Sequence, residues 1–310
     1  MAKKPELLIN AGNLDEVIRY IQAGANAVNV GEQRFGMRLP GDMDLTEINK
    51  AVAEAHKLKA NIIVSVDNIM DNRILDALPG YLRALQEVNV DAIVFGDPAV
   101  WRAAKAHAPR LRLHWSAEMT STNYATANFW AAKGVARAVL ARELNMEQVL
   151  EFKRRANLEV QVQVHGMTNI YHSKRELITH FMRHAHKDTG AETYDKARGM
   201  YLVESERPNQ TFPIFEDVNG THIMSSDDIC MIENLPELLD GGIDSIKIEA
   251  LLKPADYNET VLRAYRQAID AYVANPATYE FNEDWLKAIK RKQDPKRELS
   301  YGFFYKEQVY

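Results

Sequence analysis

The chain has 310 residues, 46% of them hydrophobic and 26% charged, with a formal net charge of -5 and a pI of about 6.0. This is the composition of a soluble globular protein, and its mild acidity argues against a surface coated with nucleic acid, although a local basic patch remains compatible with it. The single cysteine, Cys230, excludes an internal disulfide framework and any all-cysteine metal or iron–sulfur site within one chain. The sequence shows neither a leader nor an apolar run that could span a bilayer, so we predict a cytoplasmic protein without membrane contact.

Short apolar runs alternate along the chain with amphipathic segments. Eight strands are predicted at 6–10, 27–31, 61–67, 91–96, 112–116, 136–141, 159–165 and 244–249. Eight helices are predicted at 13–23, 45–58, 72–88, 98–106, 123–132, 146–155, 227–239 and 256–274. Strict alternation predicts a parallel sheet, and eight units predict a (β/α)8 TIM-like barrel over residues 1–275. The alternative is an open doubly wound sheet, for which the chain lacks a Gly-x-Gly-x-x-Gly fingerprint.

Two segments depart from this alternation. Residues 166–226 form a long α+β insertion after strand seven, with a helix at 174–186, strands at 200–203, 212–216 and 221–224, and a hairpin turn at Asn219-Gly220. Such an insertion lies over the mouth of a barrel, so we predict a lid or binding subdomain. The C-terminal extension, residues 276–310, is basic and aromatic, and we expect it to pack on the barrel, on a partner chain or on a second copy.

The predicted eighth strand carries charges where a buried parallel strand is normally apolar. Ile246 and Ile248 share one face, while Lys247 and Glu249 share the other. A buried lysine and glutamate are costly unless they are paired. This conflict between local pattern and position in the fold indicates a functional site at Lys247 and Glu249.

Polar residues also stand at the ends of other strands, where barrel enzymes place their active sites. If the apolar faces of the strands contact the helices, these residues line the lumen, and they form either a ligand site or a satisfied polar core network. In strand seven Gln161, Gln163 and His165 share the face opposite the valines, which predicts that they line the lumen together. His165 is a candidate acid or base and equally a core histidine. The remaining candidates at strand ends are Asn10, Asn29, Asp67, Asp97, His114, Ser116, Glu118, Arg142, Glu143 and Gln163.

Basic residues offer further candidates. Arg34 and Arg38 flank Gly36 and suit a carboxylate or phosphate, or else are surface arginines. A basic run near the C-terminus is either a solvated helix end or an RNA-phosphate contact. It comprises Lys287, Lys290, Arg291, Lys292, Lys296 and Arg297, with Asp294 inside it. His180 and His184 lack a third ligand of clear spacing, so no metal site is predicted. Cys230 lies in the predicted helix 227–239, and its side chain is expected to pack in the protein core. The candidate RNA contacts are Lys174, Arg175, Lys290, Arg291 and Lys292.

Several blocks of the sequence resemble the peptidase U32 family over residues 5–275. The blocks are Glu6-Leu7-Leu8, Asn13-Leu14, Gly24-Ala25-Asn26-Ala27-Val28, Leu140-Ala141-Arg142-Glu143-Leu144, Val164-His165-Gly166, Ser226-Asp227-Asp228-Ile229-Cys230 and Ser245-Ile246-Lys247-Ile248-Glu249-Ala250. The family is labelled as collagenase-like protease, but its better understood members resemble hydroxylation factors. Within it the chain is most similar to the short, cysteine-poor subunit of a two-gene firmicute type that hydroxylates tRNA.

This resemblance implies a role in converting the wobble uridine of tRNA to 5-hydroxyuridine, with prephenate as the source of the hydroxyl group. In this interpretation the barrel mouth holds a small anionic metabolite or the target base, and the predicted catalytic residues are Arg142, Glu143, His165, Lys247 and Glu249. Many family members hold an iron–sulfur cluster through cysteines that begin just after the Val-His-Gly block. Asn169 and Glu176 stand at the first such positions here, so we expect this chain alone to bind no cluster.

The cysteine loss favours a partnership with a longer, cluster-bearing paralogue and leaves open whether this chain is catalytic alone. Two alternatives to the tRNA-modifying subunit follow from the sequence. One is the peptidase of the family label, although the chain shows no Gly-x-Ser-x-Gly, His-Glu-x-x-His or P-loop motif. The other is a non-catalytic partner that only stabilises a cluster-bearing homologue.

Overall fold

The computed structural model describes residues 4–116, 122–187 and 193–307. Its centre is a closed barrel of eight parallel strands, in which the last strand pairs with both the first and the seventh. The predicted barrel is therefore confirmed, and the open doubly wound alternative is wrong because no barrel strand is left as an edge. The strands are β1 (Glu6–Asn10), β2 (Ala27–Val30), β3 (Asn61–Val66), β4 (Ala92–Phe95), β5 (Leu113–Ser116), β6 (Arg137–Val139), β7 (Glu159–Gly166) and β13 (Ser245–Ile248).

Helices surround the barrel and begin where the sequence supplies capping side chains. Asp44 and Asn145 each accept a hydrogen bond from the backbone three residues on, and Glu47 and Gln148 complete capping boxes. The predicted helix 72–88 is two helices, because Pro79 fits only the first turn of a helix. The helices are α1 (Leu14–Gln22), α2 (Leu45–Lys57), α3 (Asn72–Leu75), α4 (Leu78–Glu87), α5 (Pro98–His107), α6 (Tyr124–Ala132), α7 (Met146–Arg155), α9 (Leu235–Asp240) and α10 (Ala255–Ala274). Within the described ranges, no helix combines the length and apolar character needed to cross a membrane.

The prediction of one helix over 227–239 is wrong. The segment begins as strand β12 (Asp228–Cys230), which pairs antiparallel with the end of β7, and only α9 is helical. The apolar run from Ile229 to Ile232 is buried throughout, and a short buried run does not distinguish a strand from a helix. Cys230 is buried as expected, but it lies in a strand.

The insertion folds into a small antiparallel sheet with one helix. It comprises β8 (Asn169–Ser173), α8 (Leu177–His184), β9 (Met200–Val203), β10 (Thr211–Asp217) and β11 (Gly220–Met224), in the sheet order β8-β11-β10-β9. Strand β8 was not predicted, and the helix is shorter than the predicted 174–186. At the hairpin tip, Asn219 accepts a hydrogen bond from Asn68 (2.8 Å) and donates one to the carbonyl of Gln33 (3.0 Å). The insertion therefore lies against the loops that follow β2 and β3.

The C-terminal segment packs on the barrel. Helix α11 (Glu283–Lys292) lies against α10, and β14 (Leu299–Ser300) pairs in parallel with β12. Phe304 is buried, whereas Tyr301 and Phe303 remain partly exposed. The predicted docking of the aromatic tail on the body is thus made by Phe304 alone among these three rings.

A buried ionic cluster ties this segment to the barrel. Asp228 is fully buried and contacts Lys253 (2.5 Å) and Arg297 (2.8 Å), whose side chains are 5% and 3% exposed. Burial by itself raises the pKa of a carboxyl group, but Lys253 and Arg297 hold the pKa of Asp228 at about 2. Arg297, which the sequence places in a basic run, is therefore a structural residue.

Candidate functional site at the barrel mouth

The carboxyl ends of the barrel strands surround a small polar cavity of about 40 Å³. Every barrel strand or the loop after it contributes at least one residue to its wall, so the site depends on closure of the barrel. Met37 and Leu39, from the loop after β2, cover it. The polar residues of the wall are Asn10, Asn29, Arg38, Ser65, Asp67, Ser116, Arg142, Gln161, Lys247 and Glu249.

The Lys247–Glu249 pair, predicted from the charges in the eighth strand, forms part of the cavity wall. The Nζ of Lys247 lies 2.9 Å from Oε2 of Glu249, and the two side chains are 15% and 9% exposed. The other carboxylate oxygen of Glu249 accepts hydrogen bonds from the Asn10 side chain and from the backbone N–H of Leu251 (3.1 Å). Both oxygens are therefore held in place, and the costly buried charges are paired.

Two further features fix Glu249. The Asn10 side-chain oxygen accepts a hydrogen bond from the backbone N–H of Ala250 (2.7 Å). Gly166 has φ +93°, and a Cβ on it would lie 2.3 Å from the carbonyl oxygen of Glu249. Only glycine allows this close approach without displacing the chain. The Val-His-Gly and Lys-Ile-Glu blocks thus meet at the mouth of the barrel.

Two arginines stand at the same mouth. Arg142 donates from Nε to Oε1 of Gln163 (2.8 Å), and the Gln163 amide donates in turn to the carbonyl of Met167 (2.9 Å). Arg38 has φ +52°, a left-handed conformation that is uncommon outside glycine. Asp67 accepts a hydrogen bond from the backbone of Met37 (3.2 Å), which holds the covering loop. With Lys247, the cations of this wall suit a small anion such as a carboxylate.

The lumen below the mouth has two different layers. An apolar layer that includes Leu8 and Ile63 separates the mouth from the bottom of the barrel. At the bottom, Arg137 pairs with Glu6 and with Glu159 (2.9 Å). The lumen is therefore polar at both ends, and its buried charges are paired at both ends.

The prediction that His165 shares the lumen with Gln161 and Gln163 is wrong. A β-bulge between β7 and β13 shifts the register, so that His165 lies opposite Ile248, whose side chain packs in the outer core. The ring Nε2 lies 2.9 Å from the hydroxyl of Tyr257 on α10. Burial lowers the pKa of His165 to about 3, so the ring is neutral and structural in this position.

Four other candidates are not at the mouth cavity or cannot be placed. His114 lies deeper in the barrel, where neither ring nitrogen has a hydrogen-bond partner, and burial followed by the charge of Arg137 holds its pKa well below the usual value. Glu143 is exposed and outside the cavity wall. Arg34 contacts the ring of Phe35 and lines a different surface depression. Glu118 lies outside the described residues.

The buried histidines predict acid sensitivity. Both His165 and His114 have folded pKa values below the usual one, and so does Asp228, so the unfolded chain binds protons more readily than the folded chain. Stability is therefore fully present above about pH 6.5 and falls progressively as the pH drops toward about 3. We expect urea unfolding midpoints to decrease from about pH 7 to about pH 4, and the His165→Asn variant to show a shallower decrease. A flat profile for the wild-type protein would contradict this account.

The structure also adds Ser65 and Leu39, which the sequence analysis did not select, and pairs Ser65 with the candidate Asn29. Asn29 and Ser65 form a buried hydrogen-bonded pair in the cavity wall, with Nδ2 of Asn29 donating to Oγ of Ser65 (3.1 Å). The alternation of β3 places Ser65 on the lumen face with Ile63, so its position was available from strand parity. The position of Leu39 in the cavity wall could not be predicted in this way, because a loop has no alternation of side-chain directions.

The predicted RNA contacts lie on two separate surfaces. Lys174 donates to the carbonyl of Ile69 (2.7 Å), and the adjacent Arg175 is exposed on the insertion. Lys290 and Arg291 are exposed on α11, and Lys292 lies 3.0 Å from Asp256. These positions are compatible both with a solvated surface and with contacts to RNA phosphates.

The residues at hand do not fit an iron–sulfur cluster. Asn169 begins β8 and Glu176 precedes α8, so the positions matched to family cysteines carry no thiolate. Cys230 is alone and buried, and burial raises the pKa of its thiol to about 11. Within residues 4–116, 122–187 and 193–307, no group of three or more His, Cys, Asp or Glu side chains is arranged to hold a metal. Cluster ligation normally needs four thiolates.

The fold and the mouth define a (β/α)8 barrel protein with a paired Lys–Glu site, and comparison with known proteins gives the family. The sequence profile described as "Peptidase family U32" matches residues 12–309, and the chain belongs to that family. It is 49% identical to tRNA hydroxylation protein P2 of Bacillus subtilis over 99% of this chain and 100% of that protein. It is 31% identical to tRNA hydroxylation protein P1 of the same organism over 100% of this chain and 74% of that protein. Among solved structures, the U32 peptidase Mk0906 shares the fold, with a TM-score of 0.50 and 17% identity over 79% of this chain and 92% of that one.

Proposed function

We propose that the chain is a subunit of a tRNA-modifying hydroxylation system that converts wobble uridine to 5-hydroxyuridine. The observation that carries the proposal is the paired Lys247–Glu249 site at the barrel mouth of a chain 49% identical, end to end, to a protein named for tRNA hydroxylation. The carboxyl ends of barrel strands are where this fold places its chemistry.

In this proposal the barrel mouth binds prephenate, the implied source of the hydroxyl group. Prephenate carries two carboxylates, and the guanidinium groups of Arg38 and Arg142 with the ammonium group of Lys247 supply cations for them. Glu249 fixes Lys247, and Asn10 fixes Glu249. The cavity of about 40 Å³ is close to the space of one or two waters, so binding requires the loop that contains Met37 and Leu39 to move outward.

A longer paralogue is the proposed partner. The supporting observations are the absence of cysteines at 169 and 176 and the existence of two relatives, P1 and P2, in one organism. Under this arrangement the partner supplies the cluster, and this chain supplies the mouth site. A purely stabilising role predicts that changes at Lys247 and Glu249 leave the modification intact.

Peptidase activity has less support. Activation of a serine nucleophile needs a neighbouring base, and the described wall of the mouth contains Ser116 but no histidine. His114, two residues earlier on the same strand, has no hydrogen-bond partner at either ring nitrogen. The described wall of the mouth therefore lacks the Ser–His pair of the common acyl-transfer triads.

Mass spectrometry of nucleosides from total tRNA tests the proposal. Hosts with and without this gene, with and without its paralogue, are compared. Loss of 5-hydroxyuridine-derived wobble nucleosides on deletion, restored by the wild-type gene, supports the proposed function. An unchanged nucleoside profile, even when the paralogue is also deleted, overturns it.

A further inference from the structure

A second and larger cavity lies beside the barrel mouth, and the proposed function does not use it. This cavity, here called the groove, has a volume of about 740 Å³ and lies between the barrel, the insertion and the C-terminal segment. That volume is within the range of small-molecule sites, whereas the mouth cavity is far below it. Of the groove and the mouth cavity, only the groove has room for a nucleotide in the present conformation.

The wall between the two cavities is one segment thick. Leu39 lines the mouth and Pro40 lines the groove, and likewise Glu249 lines the mouth and Ala250 the groove. Lys196, from the insertion, donates from Nζ to the carbonyls of Leu39 (2.6 Å) and Pro40 (2.9 Å). Lys196 therefore holds the covering loop against the mouth while its side chain lines the groove.

The charges of the groove wall are balanced. The wall has four cationic side chains and two carboxylates, but Lys253 and Arg297 are also paired with the buried Asp228 and Lys292 contacts Asp256. The groove therefore has no excess of positive charge. The cations are Lys196, Lys253, Lys292 and Arg297, and the acids are Glu16 and Asp294.

The groove also presents flat apolar surface. Tyr201 lies on the edge strand β9, is 49% exposed and lines the groove, as do Pro254 and the buried Tyr257 of the barrel. Unpaired bases stack on such aromatic side chains. Leu252, also in the wall, has φ +59°, a conformation that is strained for a residue with a bulky side chain. Backbone strain of this kind clusters at ligand sites.

We infer that the groove binds one nucleotide of the target RNA, with its base lying against Tyr201. This inference rests on the proposed function and names the place of its second substrate. Enzymes that modify a base take it out of the stack into a pocket. The base then lies on one side of the Leu39–Pro40 segment, and the Lys247–Glu249 site lies on the other. When Lys196 gives up its hydrogen bonds to the carbonyls of Leu39 and Pro40, this segment can move and the two cavities join.

Photo-crosslinking tests the inference. An anticodon stem–loop RNA with 5-bromouridine at the wobble position is irradiated with the protein, alone and together with its longer paralogue, and the crosslinked peptides are mapped. We expect crosslinks in the segments that contain Tyr201 or Tyr257. Crosslinks only at the mouth, elsewhere on the chain or on the paralogue would overturn the inference.

Two variants sharpen this test. Ala197→Trp places a large ring in the groove at an exposed position, and Ala106→Trp makes the same change on the exposed face of α5 as a control. We expect Ala197→Trp to reduce the crosslink about tenfold or more and Ala106→Trp to leave it unchanged. If Ala197→Trp does not fold, as judged by thermal denaturation, Tyr201→Ala is expected to give the same loss. Equal crosslinking in all variants contradicts the inference.

The outcomes separate the two proposals. If gene deletion removes 5-hydroxyuridine-derived nucleosides but the RNA crosslinks outside the groove, the proposed function stands and the groove inference fails. If the nucleosides are unchanged while the RNA crosslinks in the groove, the nucleotide site stands and the proposed reaction fails.

Discussion

Glu249→Gln is expected to lower the modification activity by about a hundredfold or more while the protein remains folded. Glutamine has nearly the same shape, so the hydrogen bond from the backbone of Leu251 can persist. However, the change removes the negative charge that faces the Lys247 ammonium group at 2.9 Å. The cations of the mouth then lack their fixed counter-charge, and Lys247 loses its defined position. The measurement is restoration of wobble nucleosides by the variant gene in the deletion host.

A matched control separates this effect from the general effect of a Glu→Gln change. Glu87 is exposed on α4, remote from both cavities, and Glu87→Gln is expected to restore the nucleosides fully. Normal activity of Glu249→Gln, in the presence of the paralogue, would instead show that the chain acts only as a stabilising partner. Retained thermal stability of both variants is needed for either conclusion.

Asp228→Asn is expected to destabilise the protein by ~3–5 kcal/mol. The substitution keeps the shape of the side chain but leaves Lys253 and Arg297 buried without a compensating charge. It also weakens the attachment of the C-terminal segment, because Arg297 binds the carbonyl oxygens of Ser225 and Asp227 from the same position. The urea midpoint of unfolding, measured near neutral pH, reports this loss.

The control for this prediction is a paired carboxylate at the surface. Asp270 is 48% exposed and contacts Lys4 and Arg266, so Asp270→Asn is expected to change stability by less than ~1 kcal/mol. A change for Asp228→Asn that is no larger than that of Asp270→Asn would mean that the buried cluster is solvated in solution. Both residues are aspartates that contact two cations, so the main difference between them is burial, although Asp228 also accepts a hydrogen bond from Gln293 (2.6 Å).

Much of the mouth could be predicted from the sequence. Lys247 and Glu249 stood out because charges interrupt an apolar strand, and Asn10 stood out because it ends another strand. The structure brings these three side chains into contact at the carboxyl ends of β1 and β13. Strand parity and barrel topology sufficed here, because both follow from local alternation.

His165 shows where the same parity argument fails. Alternation along β7 places it with Gln161 and Gln163, but the bulge reverses its direction toward α10. A bulge depends on how two strands pair, not on the sequence of one strand, so no periodicity reveals it. The helix predicted over 227–239 failed for a related reason, since the pairing of β12 with β7 decided its conformation.

The sequence by itself determined the alternation of strands and helices, the position of the insertion and the polar ends of the strands. These features follow from interactions within a few residues, which local patterns record. The tertiary structure decided the Asn10–Glu249 contact, the attachment of Arg297 to Asp228 and the groove beside the mouth. Each joins segments that are far apart in the chain, and their meeting depends on the closure of the barrel and the packing of the insertion and C-terminal segment against it.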